Sequence, residues 1–276
     1  MKLEFLGTGT SCGVPQMRCK CKVCTSNDPH DKRLRCSALL RPDDGSAGIL
    51  IDCGPDFREQ MLRTGCPDLA CAILTHTHYD HVGGVDDLRP YSYAAAWNHF
   101  DIYCAPDVAN DLRNRVPYCF AEVPYPGVPQ FNLREIAPFE SFTVDTGKHR
   151  YEVLPLAVRH GRLDILGYKI GDFAYITDAS ELPPATLDAI KGVDTLVINA
   201  LRHESHPSHL NLREALGVIE LTAPRQAYLT HFSHQIGLHS ELKRLLPDNV
   251  FPACDRQVIE IPDENRKHND NKNHAS

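Results

Sequence analysis

One short segment, LTHTHYDHVGG at residues 74–84, places three histidines and an aspartate directly after an apolar run. In an extended segment alternate side chains point the same way, so His76 and His78 can bind one ion. The turn that follows brings Asp80 and His81 toward a neighbouring ion. Imidazole and carboxylate ligands together suit zinc, manganese or iron. The segment therefore predicts a metal site at the end of a strand, and the fold must bring further ligands to it.

Other apolar runs also end in a histidine or an aspartate. Such ends gather at one edge of a sheet in mixed helix and strand proteins, where ligand sites form. Together with the motif at 74–84, this coincidence predicts a dinuclear site. The residues at these ends are His160 after the run 151–158, Asp178 at the end of 173–178, and His231 after 226–230.

Short apolar runs rich in β-branched residues recur along the chain and indicate buried strands. They lie at residues 3–7, 48–54, 71–76, 101–106, 151–158, 173–178, 195–200 and 226–231. Helical patterns lie between several of them, at 55–65, 183–192 and 211–222. Strands mixed with helices over this length predict sheets covered by helices, in an α/β or α+β arrangement.

Two of the helical patterns have a predicted buried face and a predicted boundary. In the segment 55–65 that face carries Phe57, Met61 and Leu62, and Gly65 stops the helix. In the segment 211–222 Asn211 stands near the start. The apolar stripe of that second helix consists of Leu212, Leu216 and Ile219.

The last residues, 263–276, contain almost nothing apolar, so we expect a disordered polar tail after a single domain at residues 1–262. The segment 117–138 has five prolines and cannot form a regular helix or a central strand. It is either an irregular surface excursion or a lid or homodimer contact near the site.

Three cysteines, Cys19, Cys21 and Cys24, are too close together to be ordinary core residues. Their spacing predicts a metal knuckle, but a closed tetrahedral zinc site needs four ligands and no fourth candidate follows nearby. Asp52 is a further candidate, either as a hydrogen-bond partner of a metal-bound histidine or as a turn cap at a strand end.

The segment THTHYDH resembles the HxHxDH signature of the metallo-β-lactamase superfamily, and the order of the later histidines and aspartate also matches. The resemblance implies an α+β fold, the four-layer αββα metallo-β-lactamase sandwich. It also implies how the ligands divide between two ions. One metal would bind His76, His78 and His160, the other would bind Asp80, His81 and His231, and Asp178 would bridge them.

Within that superfamily the nearer resemblance is to the phosphoribosyl cyclic phosphodiesterases of the carbon–phosphorus lyase pathway, which carry a zinc knuckle after the first hairpin. The matching segment here is GVPQMRCKCKVC, and LTHFSHQ supplies His234 as the implied fourth ligand of a structural Cys3His zinc site. The resemblance also makes His209 the candidate that stabilises or protonates the leaving oxygen, with Asp80 and Asp178 completing the catalytic group. His203 and His206 are close enough to compete for that role.

The resemblance implies a metal-dependent phosphodiesterase that hydrolyses small cyclic phosphodiesters through a hydroxide activated by two metal ions, manganese or zinc. Phosphoribosyl 1,2-cyclic phosphate is the specific expectation. A lactonase or thioesterase uses the same signature, and a non-catalytic carrier related to PQQ biosynthesis has an altered dinuclear site. Metal content and the cleaved bond distinguish these alternatives.

Composition limits the partners. The chain has 29 basic and 36 acidic side chains, a formal charge of −7, so we expect neither a broad nucleic-acid surface nor a membrane surface as partner. It has no run of about 18 apolar residues and no signal-peptide core at its start. Eleven cysteines, an odd number, indicate reduced thiols and a cytoplasmic protein.

Overall fold

A computed structural model describes residues 1–94, 99–123 and 125–262. The strands of this part are β1 (Lys2–Gly7), β2 (Ser37–Arg41), β3 (Gly48–Ile51), β4 (Leu69–Ile73), β5 (Phe100–Cys104), β6 (Phe131–Glu135), β7 (Phe142–Asp145), β8 (Arg150–His160), β9 (Leu163–Ile170), β10 (Phe173–Ile176), β11 (Thr195–Asn199), β12 (Gln226–Thr230), β13 (Val250–Pro252) and β14 (Val258–Glu260). The α-helices are α1 (Phe57–Thr64), α2 (Tyr79–Val82), α3 (Arg89–Ala94), α4 (Pro106–Arg115), α5 (Pro184–Ala189), α6 (Leu212–Thr222) and α7 (His239–Leu245). The tail predicted at 263–276 lies outside the described residues.

The described strands form two seven-stranded mixed sheets. The first has the order β14-β1-β2-β3-β4-β5-β6 and the second the order β13-β12-β11-β10-β9-β8-β7. In each sheet one half is antiparallel and the other half, β3 to β6 or β10 to β13, is parallel. Parallel strands end at the same edge of their sheet, so the loops after β3 and β4 share one edge of the first sheet and those after β10 and β12 share one edge of the second.

The two sheets pack face to face, and helices cover both outer faces. Phe5, Tyr168 and Tyr175 are fully buried between the sheets. On one outer face Phe57 of α1 packs into a second apolar cluster, and on the other Ile219 of α6 packs into a third. Each sheet therefore buries both of its faces, and the predicted four-layer αββα sandwich is confirmed.

The helices largely follow their sequence signals. Asn211 caps α6, since its side chain accepts from the backbone N–H of Glu214 and the Glu214 carboxylate accepts from the Asn211 N–H. Gly65 ends α1 in the left-handed conformation with φ 83°. The prediction for the buried face of α1 is wrong at Leu62, which is 53% exposed. Gln60 is buried in its place because its amide donates to the Arg35 carbonyl at 2.8 Å.

The proline-rich segment 117–138 is more regular than the sequence indicates. It begins with a 3-10 turn at Pro117–Phe120, and its residues 131–135 form β6, which pairs parallel with β5 at the edge of the first sheet. An edge position requires fewer backbone donors than a central one, so prolines nearby are tolerated.

No helix in the described ranges is both long enough and apolar enough to cross a membrane.

Candidate metal centre

The histidine motif lies where β4 passes into α2. His78 is extended, with φ −62° and ψ 146°, and α2 begins at the next residue, so Asp80 and His81 belong to the first turn of the helix. This turn packs directly on the loop after β3. A Cβ atom on Gly54 would lie 2.0 Å from the Asp80 carbonyl oxygen, and one on Gly84 would lie 2.1 Å from the Gly54 carbonyl oxygen. Only glycine permits this close approach.

The seven side chains predicted as ligands of a dinuclear site come together and form what we call the His–Asp cluster. Within each of its two groups, the potential ligand atoms lie within 4.8 Å of one another, and the Asp178 carboxylate belongs to both groups. The division is the one that the sequence resemblance implies. The first group contains His76, His78, His160 and Asp178, and the second contains Asp80, His81, Asp178 and His231.

Hydrogen bonds fix how three of the imidazoles face the cluster. The Nδ1 of His81 donates to Asp52 at 2.7 Å and that of His160 donates to the Ser208 carbonyl at 2.6 Å, while the Nδ1 of His76 lies 3.0 Å from the Thr75 hydroxyl. Such bonds leave Nε2 free to bind a metal. Of the two roles left open for Asp52, the structure favours the partner of a histidine.

Two of these inward-facing nitrogens have no partner of their own. The Nε2 atoms of His76 and His81 are buried and without a hydrogen bond, although such atoms are rarely left so inside a protein. They lie 3.8 and 3.3 Å from carboxylate oxygens of Asp178, too far or too poorly aligned for a hydrogen bond. The donor set and its unmet bonding capacity fit divalent metal ions.

The electrostatics of the cluster point the same way. Burial lowers the pKa of His76 well below its usual value and lowers the pKa of His231, so both rings are neutral, as ligands must be. Burial acts likewise on His81, but the carboxylates of Asp178 and Asp52 outweigh it and raise the pKa of that ring. The carboxylates thus attract a positive charge, which a proton or a metal ion can supply.

Burial opposes ionisation of Asp178, yet the neighbouring His231 and His81 rings hold the pKa of its carboxyl well below the usual range. Its backbone is also unusual. Asp52, Asp178 and His231 have φ values of 61°, 58° and 58°, in the left-handed region that non-glycine residues rarely occupy. Such strain is typical of functional sites, and here it turns three side chains from three strand ends toward one point.

The structure distinguishes the three histidines that compete for the catalytic role. His209 lies against the cluster, with its ring 4.6 Å from that of His160 and its Nδ1 3.9 Å from Asp178. That Nδ1 is buried and has no hydrogen-bond partner. The ring of His206 is one step farther out, 5.0 Å from that of His209. His203 faces away and donates to the Ile236 carbonyl at 3.0 Å.

Burial lowers the pKa of His209 to about 3. The imidazole is therefore neutral at pH 7 and has one N–H to offer to a bound molecule.

The three cysteines of the N-terminal loop meet His234, and these four residues form what we call the Cys3His cluster. The His234 Nδ1 lies 3.4 Å from the Sγ of Cys19 and 3.2 Å from that of Cys21. Tetrahedral zinc holds sulfur and nitrogen ligands about 3.5 Å apart, from bond lengths of about 2.3 and 2.0 Å. Hydrogen bonding to His234 lowers the pKa of Cys21 to about 6, which favours the thiolate that a metal requires. The cluster has the composition and spacing of a closed four-ligand site.

Some contributors to the site have no signal in the sequence. His160 is oriented by a backbone carbonyl, that of Ser208, which any residue type could supply. Thr75 belongs to no motif, yet its hydroxyl lies between Asp52 and His76.

Comparison with known proteins bears on the fold and the chemistry. A family model described as a beta-lactamase superfamily domain matches residues 48–232. The chain is 41% identical over 257 residues to the Octanoyltransferase of Porphyromonas gingivalis, an alignment covering 92% of this chain and 50% of that relative. It thus spans half the length of that protein. It is 30% identical over 224 residues to coenzyme PQQ synthesis protein B of a Methylobacterium species, covering 72% of each.

Among solved structures, the chain is similar to a diphosphatase from the PhnP family, with a TM-score of 0.85 and 35% identity over 95% of this chain and 98% of the other. Zn2+-bound PqqB from Methylobacterium extorquens has a TM-score of 0.75 at 17% identity, over 95% of this chain and 100% of the other. The short form of human tRNase Z has a TM-score of 0.68 at 19% identity, also over 95% and 100%. The last two likenesses show the fold alone.

Proposed function

The chain belongs to the metallo-β-lactamase superfamily of hydrolases, and on that premise we propose that it is a metal-dependent phosphodiesterase of small cyclic phosphodiesters. The expected substrate is phosphoribosyl 1,2-cyclic phosphate. The observation that carries the proposal is the position of His209, whose unpartnered ring nitrogen stands 3.9 Å from the carboxylate shared by both ligand groups. The 35% identity to a diphosphatase over nearly the whole chain supports phosphorus chemistry.

We assign two divalent ions, manganese or zinc, to the His–Asp cluster. His76, His78 and His160 would hold one, Asp80, His81 and His231 the other, and Asp178 both. When bound, such a pair lowers the pKa of a water molecule and neutralises the charge that accumulates on a phosphodiester. A structural zinc ion is assigned to the Cys3His cluster.

The chain's own residues would then do the following. Asp178 fixes the spacing of the two ligand groups and orients the nucleophile. Attack of water on phosphorus would form a new P–O bond and break the P–O bond to the leaving oxygen. That oxygen then gains negative charge. The N–H of His209 would donate to that oxygen, because it is the group beside the cluster that has no internal partner.

The test is hydrolysis of bis-p-nitrophenyl phosphate beside p-nitrophenyl phosphate and a simple lactone, with protein loaded with manganese or zinc. We expect selective cleavage of the diester, and then turnover of cyclic ribose phosphates. Cleavage of the lactone with an inert diester would overturn the proposal.

A second candidate activity is acyl hydrolysis by a lactonase or thioesterase. The observation that raises it is the 41% identity to a protein named Octanoyltransferase. The chain spans 50% of that relative, and we propose that the acyl transfer belongs to the part that the chain does not match. An octanoyl thioester tested in the same assay distinguishes the two.

The metal content distinguishes an enzyme from a non-catalytic carrier. We expect about three ions per chain by elemental analysis, two from a two-metal site and one from a closed Cys3His site. The expectation rests on a complete set of seven ligands in the His–Asp cluster. A content of about one ion after reconstitution would indicate a carrier that keeps only the metal of the Cys3His cluster.

We expect the proposed phosphodiesterase to be cytoplasmic and to act on a small substrate.

We expect Asp52→Asn to weaken metal binding at the His–Asp cluster about 10- to 100-fold, the usual cost of losing a ligand's supporting partner. Asp52 accepts from His81 and from the Thr75 amide and hydroxyl, and an amide cannot accept all of these bonds. Affinity would be measured by competition with a chelator. Asp87→Asn, at an exposed residue near the motif, is the matched control. Equal affinities in the two variants would contradict the role of Asp52.

We expect Cys21→Ser to remove one zinc ion per chain and to lower the melting temperature. When a bound zinc ion present at about 1,000 times its Kd is lost, the free energy of unfolding falls by about 4 kcal/mol. In a domain of this size that corresponds to a decrease of about 8–16 °C. Cys12→Ser is the control, because Cys12 is exposed and lies outside the Cys3His cluster. Unchanged zinc content in the Cys21→Ser variant would contradict the assignment of a structural zinc ion to the Cys3His cluster.

A further inference from the structure

Residues 201–210 form a closed loop, here named the 209 loop, between β11 and α6. The amide of Leu201 donates to the Leu210 carbonyl at 3.0 Å, and the amide of Leu212 donates to the Arg202 carbonyl at 2.9 Å. The two ends of the loop are therefore joined to each other and to the start of α6. The loop contacts the His–Asp cluster on one side and the segment 233–236 on the other.

On one side the 209 loop forms part of the wall of the His–Asp cluster. The Ser208 carbonyl accepts the Nδ1–H of His160 at 2.6 Å. Gly161 packs so tightly here that an added Cβ would lie 3.1 Å from the Ser208 Cβ. His209 follows at once, and its ring lies 4.6 Å from that of His160. A shift of this part of the loop would move both the orienting carbonyl and the catalytic ring.

On the other side the loop is bonded to the segment 233–236, which contains the knuckle residue His234. The amide of Ser233 donates to the Leu201 carbonyl at 2.9 Å. His203 donates to the Ile236 carbonyl at 3.0 Å. The bond that links side chain to side chain is that from Arg202 Nη1 to the Gln235 Oε1, at 3.0 Å.

Arg202 also holds the loop from within. Its Nη2 donates to the Ser205 carbonyl at 2.8 Å and its Nε to the Glu204 carbonyl at 3.3 Å. Among the described residues it has no carboxylate partner, and its three hydrogen bonds all go to neutral oxygens of the loop and of Gln235. A planar guanidinium can bind three such acceptors in one plane, whereas an ammonium cannot.

We propose that Arg202 is a positioning residue that fixes the 209 loop against the segment carrying His234 and thereby holds His209 and the Ser208 carbonyl in place. This role rests on the proposed function for its effect on turnover, but not for its effect on the loop. The Cys3His cluster then orders the catalytic loop as well as the N-terminal segment, through a contact made by this arginine.

The first arm of the test compares Arg202→Met with Arg213→Met, an exposed arginine on α6 that serves as the control. Amide hydrogen exchange of the peptide 202–212 is expected to accelerate about tenfold in Arg202→Met, since a hydrogen bond from a charged donor is lost. The peptide 184–189 on α5 should not change in either variant. Unchanged exchange at 202–212 would overturn the proposal whether or not the protein hydrolyses a diester.

The second arm measures turnover of bis-p-nitrophenyl phosphate. For Arg202→Met we expect kcat to fall about tenfold with KM as in the control, the two proteins being compared at equal metal content. Arg202→Lys should not restore kcat. A raised KM with unchanged kcat would instead make Arg202 a substrate contact and overturn the positioning role.

The third arm is a double-mutant cycle with Gln235→Ala. If the two side chains act through their shared bond, the double variant should be no slower than the slower single variant. Strictly additive losses would overturn the coupling. Gln235→Ala removes only an exposed amide, so it tests the same contact even if Arg202→Met fails to fold. A protein without diesterase activity but with faster loop exchange in Arg202→Met would refute the proposed function and leave the positioning role standing.

Discussion

Replacement of Asp178 by alanine should lower kcat for diester hydrolysis about 1,000-fold. Removal of one electrostatic group at a reaction centre typically costs about 10²–10³ in kcat. Asp178 should lie at the upper end because its carboxylate belongs to both ligand groups. Its oxygens lie 3.0 Å from the His231 ring and 3.3 Å from the His81 ring. Without it, both ligand groups would lose a carboxylate and with it part of their affinity for a cation.

The measurement pairs steady-state kinetics with elemental analysis. Asp178→Ala should retain the zinc of the Cys3His cluster and lose at least one ion of the His–Asp cluster, with an unchanged far-ultraviolet circular dichroism spectrum. Asp188→Ala, at an exposed aspartate on α5, should behave as the unmodified protein. A variant at 178 with full metal content and full kcat would contradict a shared ligand.

The strands that carry the site could be predicted because each is a short apolar run that ends in a polar residue. The runs at 71–76, 173–178 and 226–231 appear as β4, β10 and β12. The strands β10 and β12 both run parallel to β11 and end at the same edge of the second sheet, and the residues after β4 in the first sheet meet them in the His–Asp cluster. The strand β9 was not predicted, because a glycine and charged residues interrupt its pattern. It is the second strand of a hairpin in which Gly161 and Arg162 form the turn, and it pairs with β8 along its whole length.

Within the site, the sequence could predict the types of the ligand residues and their order along the chain. It could not predict the distances between the loops that carry them. The motif and the resemblance grouped the ligands as the structure groups them. Neither could indicate that the loop after β3 approaches α2 so closely that Gly54 has no room for a side chain. The error at Leu62 has the same origin, because Gln60 is buried through a bond to the distant Arg35 carbonyl.

The sequence likewise could not rank the three neighbouring histidines by their distance from the cluster, whereas in the structure His209 lies against it and His203 faces away. We expect His209→Ala to reduce kcat about 100-fold or more, the usual contribution of one positioned donor or acid. Metal content should not change, since His209 belongs to neither ligand group. Its neutral ring supplies an N–H beside Asp178, at a place where a leaving oxygen would otherwise lie in a buried, poorly solvated environment.

Three further variants make this expectation specific to His209. His149→Ala, at a histidine paired with Asp44 outside the site, should retain full turnover. His206→Ala should lose less than His209→Ala, because the His206 ring packs against that of His209, 5.0 Å away, whereas His209 itself contacts the rings of His160 and His231. His209→Gln should recover part of the loss, since a side-chain amide offers an N–H but cannot transfer a proton. Recovery would assign His209 to hydrogen-bond stabilisation of the leaving oxygen, and failure to recover would contradict that role. A larger loss in His206→Ala would transfer the role to that residue.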